Sequence, residues 1–242
     1  MEIRNTGNRI MNTWIYPVED GWAMIDTGYE NSYASVVKKL RNLLIQPEEI
    51  RYIFLTHAHD DHAGFLKEWM TKHPHTQVIA HEKAMDGLRR GQNSFDGGCS
   101  TLMAFLFCQL MVLLGNGDHR FPKLSEEHLE KILTLNERNQ TQVETALNGK
   151  ILFTPGHTED SISLLVDGNL FCGDAAMNGL PSSHKITIWV EDTAAFAKSW
   201  DVMLASGAEK IYPSHGSSFI PELLAKNKYR IGTLSLRPLK HQ

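Results

Sequence analysis

The 242-residue chain has few cysteines, no excess of basic residues and no long apolar run. Its three cysteines, Cys99, Cys108 and Cys172, are too few for a disulfide framework, and their odd number favours a reducing compartment. The formal net charge of −4 and the lack of a basic stripe give no reason to expect nucleic acid as a partner. The composition is otherwise that of a globular protein long enough for one sizeable domain.

Membrane and export signals are also missing. The first residues lack the charged-then-apolar layout of a signal peptide. The most apolar stretch, residues 99–114 (CSTLMAFLFCQLMVLL), contains Gln109 and falls short of the roughly 20 apolar residues of a spanning helix. We therefore predict no membrane span and expect a cytoplasmic protein. The stretch 99–114 is predicted to form a helix that serves as core, as a dimer interface or as a substrate lid.

Strand and helix patterns alternate along most of the chain. Residues 12–18 and 21–26 are predicted to form a hairpin, and residues 50–55 (IRYIFL) a buried strand. Residues 91–149 interrupt the alternation and are predicted to form a mainly helical insertion. Because alternating strands and helices are typical of an α/β layer architecture, we predict a single domain over residues 1–242 that contains this insertion.

Histidines supply the clearest chemical signal. Five of the twelve lie at the ends of predicted strands beside Asp or Gly, namely His57, His59, His62, His157 and His215. The run from His57 to His62 also contains Asp61 and lies on a tight loop between a strand and a helix. Imidazole and carboxylate groups suit zinc, iron or manganese. Four ligands within six residues exceed what one tetrahedral ion takes from a single loop, so the sequence predicts two ions.

Five motifs, in order, resemble those of the metallo-β-lactamase superfamily. They are IDTG at 25–28, THAHDDHAG at 56–64, TPGHT at 154–158, CGD at 172–174 and PSHG at 213–216. The resemblance spans about residues 12–217, apart from the predicted insertion. It implies the four-layered αβ/βα sandwich of that superfamily, with the functional site at one edge between two β-sheets.

The resemblance also assigns roles to residues. It implies two divalent metal ions, the first held by His57, His59 and His157, the second by Asp61, His62 and His215, with Asp174 bridging both. Zinc is the expected metal, with iron and manganese as alternatives. Asp26 of the first motif would support a ligand without binding metal itself.

The implied activity is hydrolysis of a small-molecule ester, lactone or thioester by a metal-bridging hydroxide, with Asp61 orienting the hydroxide or moving a proton. Only 27 residues follow His215, fewer than the glutathione-binding domain of glyoxalase-II-type thioesterases needs, so we do not expect that activity. Met177 stands where several lactonases carry a tyrosine, so lactonase activity stays possible but lacks its clearest marker. His59 stands where oxygen-reducing di-iron relatives carry glutamate, which argues against that redox class.

Three alternatives to this function stay open. A phosphodiesterase would use the same site, because two ions suit in-line displacement equally well. The others are an iron-dependent redox enzyme and a metal-binding protein without turnover. The expected partner is a small-molecule substrate, and a homodimer through the insertion is a further expectation.

Overall fold

The computed structural model describes residues 1–136 and 138–239. Within them, the strands in chain order are β1 (Arg4–Asn5), β2 (Trp14–Val18), β3 (Gly21–Ile25), β4 (Ile50–Phe54), β5 (Gln77–His81), β6 (Gly98–Cys99), β7 (Leu133–Leu135), β8 (Lys150–Phe153), β9 (Ile162–Val166), β10 (Asn169–Gly173), β11 (Trp189–Val190) and β12 (Lys210–Pro213). The α-helices are α1 (Tyr33–Asn42), α2 (Leu66–Lys72), α3 (Ala84–Arg90), α4 (Leu102–Leu113), α5 (Glu126–Glu130), α6 (Gln140–Leu147), α7 (Thr193–Ala205) and α8 (Glu222–Asn227).

The chain divides into two compact units. The first comprises Met1–Asn93 and Arg120–Gly149, and the second comprises Ser94–His119 and Lys150–Gln242. The stretch 91–149, which the sequence predicts as one insertion, is therefore divided between the two units. The single domain over residues 1–242 stays a prediction.

The first unit is built on a six-stranded mixed sheet in the order β1-β2-β3-β4-β5-β7. The strands β1 to β3 pair antiparallel, and β3, β4, β5 and β7 pair parallel. The predicted hairpin of β2 and β3 is confirmed, with Val18 paired to Gly21. Parallel strands end at one edge of a sheet, so the segments that follow β3 and β4 begin side by side.

An apolar core fixes the helices of the first unit on this sheet. It includes Met24 and Ile53 from the sheet, Phe65 just before α2 and Trp69 within α2, all of which are fully buried. Burial of each such side chain contributes about 1.5–3 kcal/mol to folding. The indole nitrogen of Trp69 donates a hydrogen bond of 3.1 Å to Thr76 Oγ1, so its one polar group is also satisfied. This packing holds both ends of the segment between β4 and α2.

The second unit contains a four-stranded sheet in the order β12-β10-β9-β8 and a two-stranded sheet of β6 and β11. The strands β8, β9 and β10 form an antiparallel meander, and β12 pairs parallel with β10. The turn between β9 and β10 has positive φ at both Asp167 (48°) and Gly168 (72°). These angles are those of a tight hairpin turn, and Asp-Gly is among the sequences that favour it.

Helix α7 packs on the four-stranded sheet of the second unit and begins after Asp192. The Asp192 side chain accepts hydrogen bonds from the backbone nitrogens of Ala194 (2.8 Å) and Ala195 (3.0 Å), a cap worth about 1 kcal/mol. Phe196 and Trp200 are fully buried on the inner face of the helix. The indole nitrogen of Trp200 donates to the carbonyl of Ala175 at 2.7 Å. Helix α7 thereby anchors the segment that follows β10.

The stretch 91–149 contains α4, α5 and α6, and also two short strands that the sequence does not predict, β6 and β7. Strand β7 pairs parallel with β5 at the edge of the first sheet. Its three residues are too few to show an alternating pattern. In the part of the chain that the structure describes, no helix is long and apolar enough to cross a membrane.

Candidate metal centre

The loop that follows β4 gathers four of the predicted ligands in the first unit. The backbone nitrogens of His62 and Ala63 both donate to the carbonyl of His59, at 3.0 and 2.8 Å, which curls the chain into a tight turn. The turn brings the ring of His57 to centroid distances of 4.5 Å from His59 and 3.9 Å from His62. All three imidazoles are buried. Asp61 Oδ1 lies 3.6 Å from His62 Nε2.

Asp26 orients this loop from the end of β3. Its fully buried carboxylate accepts hydrogen bonds from the backbone nitrogen of Thr56 (2.7 Å), the hydroxyl of Thr56 (2.9 Å) and Nδ1 of His62 (2.7 Å). Because an ionised carboxylate only accepts, Nδ1 of His62 must carry the proton. The neutral ring then presents the lone pair of Nε2, the arrangement found in many metal-ligating histidines.

Two further contacts explain the shape of the loop. Gly64 passes so close to other backbone that an added Cβ would lie 2.4 Å from Glu30 N and 2.5 Å from Asp60 O. Asn93 holds the outer side of the loop, since its Oδ1 accepts from Asp60 N at 2.7 Å and its Nδ2 donates to Asp60 Oδ1 at 2.8 Å. The loop is therefore fixed at its outer side as well as at its buried base.

The remaining three predicted ligands meet within the second unit. His157, Asp174 and His215 follow β8, β10 and β12 respectively. Asp174 Oδ2 lies 3.8 Å from His157 Nε2 and 3.6 Å from His215 Nε2. Asp174 and His215 are neighbours because β10 and β12 pair parallel, and Ser214 N donates to Gly173 O at 3.1 Å. One carboxylate oxygen thus faces both imidazoles.

Backbone groups set the orientation of His157. Its Nδ1 donates to the carbonyl of Trp189 at 2.8 Å, which leaves Nε2 as the atom that faces Asp174. Gly156 has φ of 128°, and a Cβ there would lie 2.3 Å from Phe196 N. The glycine of the TPGHT motif therefore lets the ligand loop lie against the start of α7.

Asn178 joins the segment after Asp174 to the loop of His215. Its backbone nitrogen donates to His215 O at 2.9 Å, and its side-chain Nδ2 donates to Ser217 O at 2.8 Å. Its Oδ1 accepts from Lys185 Nζ. Gly216 has no room for a side chain, because a Cβ would lie 2.1 Å from Asn178 O. These contacts fix the spacing between the two ligand segments.

The donor atoms of both units fit transition-metal ligation. Two ligand atoms bound about 2.1 Å from one tetrahedral ion lie roughly 3.4 Å apart. The separations from Asp174 Oδ2 to the two imidazoles, and from Asp61 to His62, are 3.6–3.8 Å. Imidazole nitrogens with carboxylate oxygens match zinc, iron or manganese. The described residues therefore include His and Asp side chains that could hold a divalent metal ion.

The second unit contains a buried carboxyl group, that of Glu191, which the sequence does not predict. Its Oε2 accepts from Glu159 N at 3.0 Å, its backbone nitrogen donates to Gly156 O at 2.8 Å, and its Oε1 is buried with no hydrogen-bond partner among the described residues. Burial raises the pKa of this carboxyl to about 7; it outweighs the Ser94 hydroxyl, which lowers the pKa, and the charge of Asp160 adds to the rise. No motif marks Glu191, because its environment comes from distant segments.

We expect Glu191→Gln to stabilise the protein at alkaline pH. A raised carboxyl pKa means that the folded state favours the protonated form, so the wild type loses stability between about pH 4.5 and pH 7. The variant does not titrate there, and its free energy of unfolding should gain about 1–2 kcal/mol on the wild type from pH 5 to pH 8, after allowance for partial exposure. Urea denaturation at four pH values measures this. The exposed Glu19→Gln serves as control, and equal pH profiles for wild type and Glu191→Gln would contradict the expectation.

Comparison with known proteins agrees with these motifs. The sequence matches the family description "Metallo-beta-lactamase superfamily" over residues 7–215. It is 26% identical over 222 residues to Beta-lactamase-like protein 2 homolog of Drosophila melanogaster, which covers 91% of this chain and 63% of that protein. It is 28% identical over 154 residues to the metallo-beta-lactamase fold-containing protein ST1585 of Sulfurisphaera tokodaii, covering 63% and 52%. The chain thus spans less than two thirds of the length of both relatives.

Solved structures share the fold. The crystal structure of ST1585 superposes with a TM-score of 0.61 at 18% identity, covering 97% of this chain and 84% of that one. The metallo-beta-lactamase family protein TTHA1429 from Thermus thermophilus gives 0.63 at 20% identity, covering 96% and 78%. The metallo-beta-lactamase SMB-1 gives 0.67 at 16% identity, covering 95% and 91%. The predicted α/β fold class is confirmed, and the chain belongs to the metallo-β-lactamase superfamily.

Proposed function

We propose that this protein is a dinuclear metal-dependent hydrolase of a small-molecule ester, lactone or thioester. Members of the superfamily are mostly hydrolases, and the chain contains His and Asp side chains that could hold metal. In the proposed centre, His57, His59 and His157 would hold the first ion, Asp61, His62 and His215 would hold the second, and Asp174 would be a ligand to both. Zinc is the proposed metal.

The position of Asp174 is the observation that carries the proposal of two ions. Its Oδ2 lies at ligand-pair distance from both His157 and His215, which the proposal assigns to different ions. A carboxylate placed between two imidazoles in this way is suited to bridge two metals. Its neighbours support this role, because β10 and β12 hold Asp174 beside His215 and the Trp189 carbonyl orients His157.

The protein residues then have separate tasks in the reaction. Two bound divalent ions would lower the pKa of a water molecule and stabilise the developing oxyanion by Lewis acidity. Asp26 keeps Nε2 of His62 available by accepting the proton of Nδ1. The Asp61 side chain is 15% exposed, whereas that of His62 is fully buried. Asp61 can therefore reach solvent, and we assign it the task of orienting the attacking water or passing a proton to the leaving group.

A proton-release assay tests the function. Purified protein, with its metal content measured, is mixed in weak buffer with a lactone, a carboxylic ester, a thioester, a β-lactam and a phosphodiester. The His57→Ala variant should be inactive, and the matched variant His75→Ala, which replaces an exposed histidine outside both clusters, should behave as wild type. We expect acid release from the lactone, the ester or the thioester.

Each outcome of the assay has a definite meaning. Release from the phosphodiester alone would replace the proposal by a phosphodiesterase. If no substrate releases protons although two metals are bound, the hydrolase is contradicted, and a redox enzyme or a binding protein is favoured. A measurement of oxygen consumption would then distinguish these two. Equal turnover by His57→Ala would contradict the assigned site.

A further inference from the structure

Helix α4 of the second unit exposes an unusual amount of apolar surface. Eight apolar side chains on it or at its end are 38–83% exposed, namely Leu102, Met103, Leu106, Phe107, Leu110, Val112, Leu113 and Leu114. Because a residue of this size presents about 200 Å² when fully exposed, the eight together expose roughly 800 Å². The largest apolar patch on a typical monomer is about 300–600 Å². We call these eight residues the α4 patch.

The exposure is a property of an ordered helix rather than of a loose end. Thr101 Oγ1 accepts from Ala104 N at 3.0 Å and caps the helix. Ahead of the cap, Cys99 exchanges two backbone hydrogen bonds with Arg237, at 2.9 and 3.0 Å, and β6 pairs with β11. Ala104 is fully buried on the inner face. The inner side of α4 is thus attached to the second unit, and its outer side carries the patch.

The spacing of the patch indicates a helical partner. Met103, Leu106, Leu110 and Leu113 follow one another at intervals of three, four and three residues, which is the a/d spacing of a coiled-coil seam. Leu102, Phe107 and Leu114 widen this seam with further apolar surface. Such a seam packs knobs-into-holes against another helix with the same pattern.

Charge and area favour a second copy of this chain over a membrane surface. Between residues 91 and 119 the chain has no Lys or Arg, and its charged residues there are Asp96 and Asp118. A helix that binds membrane surfaces normally carries basic residues on its polar side. The roughly 800 Å² of exposed patch equals what one partner contributes to a standard stable interface. An uncharged stripe is also self-complementary, as a two-fold interface requires.

We infer that α4 is a homodimerisation helix that pairs with α4 of a second copy through the seam from Met103 to Leu113. The two helices would cross near Leu106 and Leu110, the central pair of the seam. None of the eight residues of the α4 patch is among the seven proposed ligands, so the inference does not depend on the proposed hydrolase.

Sedimentation velocity on the full chain, at 1–100 μM in protein, tests the pairing. We expect a dimer for the wild type and at least a tenfold weaker association for Leu106→Glu with Leu110→Glu, because pairing would bury four charges in an apolar seam. The control is Leu44→Glu, which makes the same kind of substitution once, at an exposed leucine (87%) of the first unit. A wild type that is monomeric at 100 μM would overturn the inference, as would a dimer that survives the double substitution.

A cross-link keeps the test decisive if the charged variant folds poorly. Under mild oxidation, Leu110→Cys should give a disulfide-linked dimer on a non-reducing gel, whereas Leu44→Cys and the wild type should not. Flotation with phosphatidylcholine vesicles supplies the competing outcome. A monomer that floats with the vesicles, and loses this binding when Leu106 and Leu110 become Glu, would assign the α4 patch to a lipid surface instead.

Discussion

His59→Ala and Asp174→Ala should each lower kcat/KM at least 1000-fold, a loss of about 4 kcal/mol in transition-state stabilisation. His59 is buried in the first cluster beside His57, and Asp174 faces two imidazoles in the second. Removal of His59 should empty one ion position, and removal of Asp174 should weaken both. Metal analysis after gel filtration should therefore give two ions for the wild type and fewer for each variant.

The exposed His75→Ala is the control for these variants, since it removes an imidazole of the same chain outside both clusters. Circular dichroism of all three proteins should match the wild type, so that lost activity reports the site rather than the fold. A variant at His59 or Asp174 that keeps two ions and full turnover would refute the ligand assignment.

Asp26→Asn should weaken metal binding about 100-fold while leaving the fold nearly intact. The carbonyl oxygen of the new amide can still accept from Thr56, but its NH2 group would face Nδ1 of His62, where the carboxylate now accepts at 2.7 Å. The imidazole then favours the tautomer that carries its proton on Nε2, the atom needed for the metal. Nitrogen NMR shifts of the His62 ring detect the tautomer, and competition with a chelator measures the affinity.

Two comparisons separate this effect from simple damage to the core. Asp26→Ala leaves the donors of Thr56 and His62 without their carboxylate, and it should cost about 3 kcal/mol of unfolding free energy as well as metal. Thr56→Val removes one hydroxyl but keeps the contact between Asp26 and His62, so it should retain most of the metal affinity. Wild-type affinity in Asp26→Asn would show that the carboxylate does not orient His62.

Structural features that depend on residues close together in the chain can be predicted from the sequence. The loop from His57 to His62 groups its ligands within six residues, so their proximity follows from one turn after a strand. The cap at Asp192 and the hairpin turn at Asp167 and Gly168 are local in the same sense, and the structure has both. For these elements a few hydrogen bonds between nearby residues decide the conformation.

The surroundings of the ligands were not predictable in this way, with the exception of Asp26. The IDTG motif marked Asp26 as a supporting residue, and the structure supplies its contacts to Thr56 and His62. Nothing in the sequence marked the Trp189 carbonyl that orients His157, or Asn178 beside His215. A backbone carbonyl has no sequence identity, and asparagine is common in loops, so neither residue stands out before the strands are paired.

The family motifs, the order of the seven candidate ligands and the apolar character of α4 can be read from the sequence without a structure, because each depends only on residue type and spacing. The tertiary structure alone decided that β7 joins β5, that burial raises the pKa of Glu191, and that the α4 patch faces outward. The reason is common to all three. Pairing and burial depend on which distant segments pack together, and an apolar run has the same sequence whether it is covered or exposed.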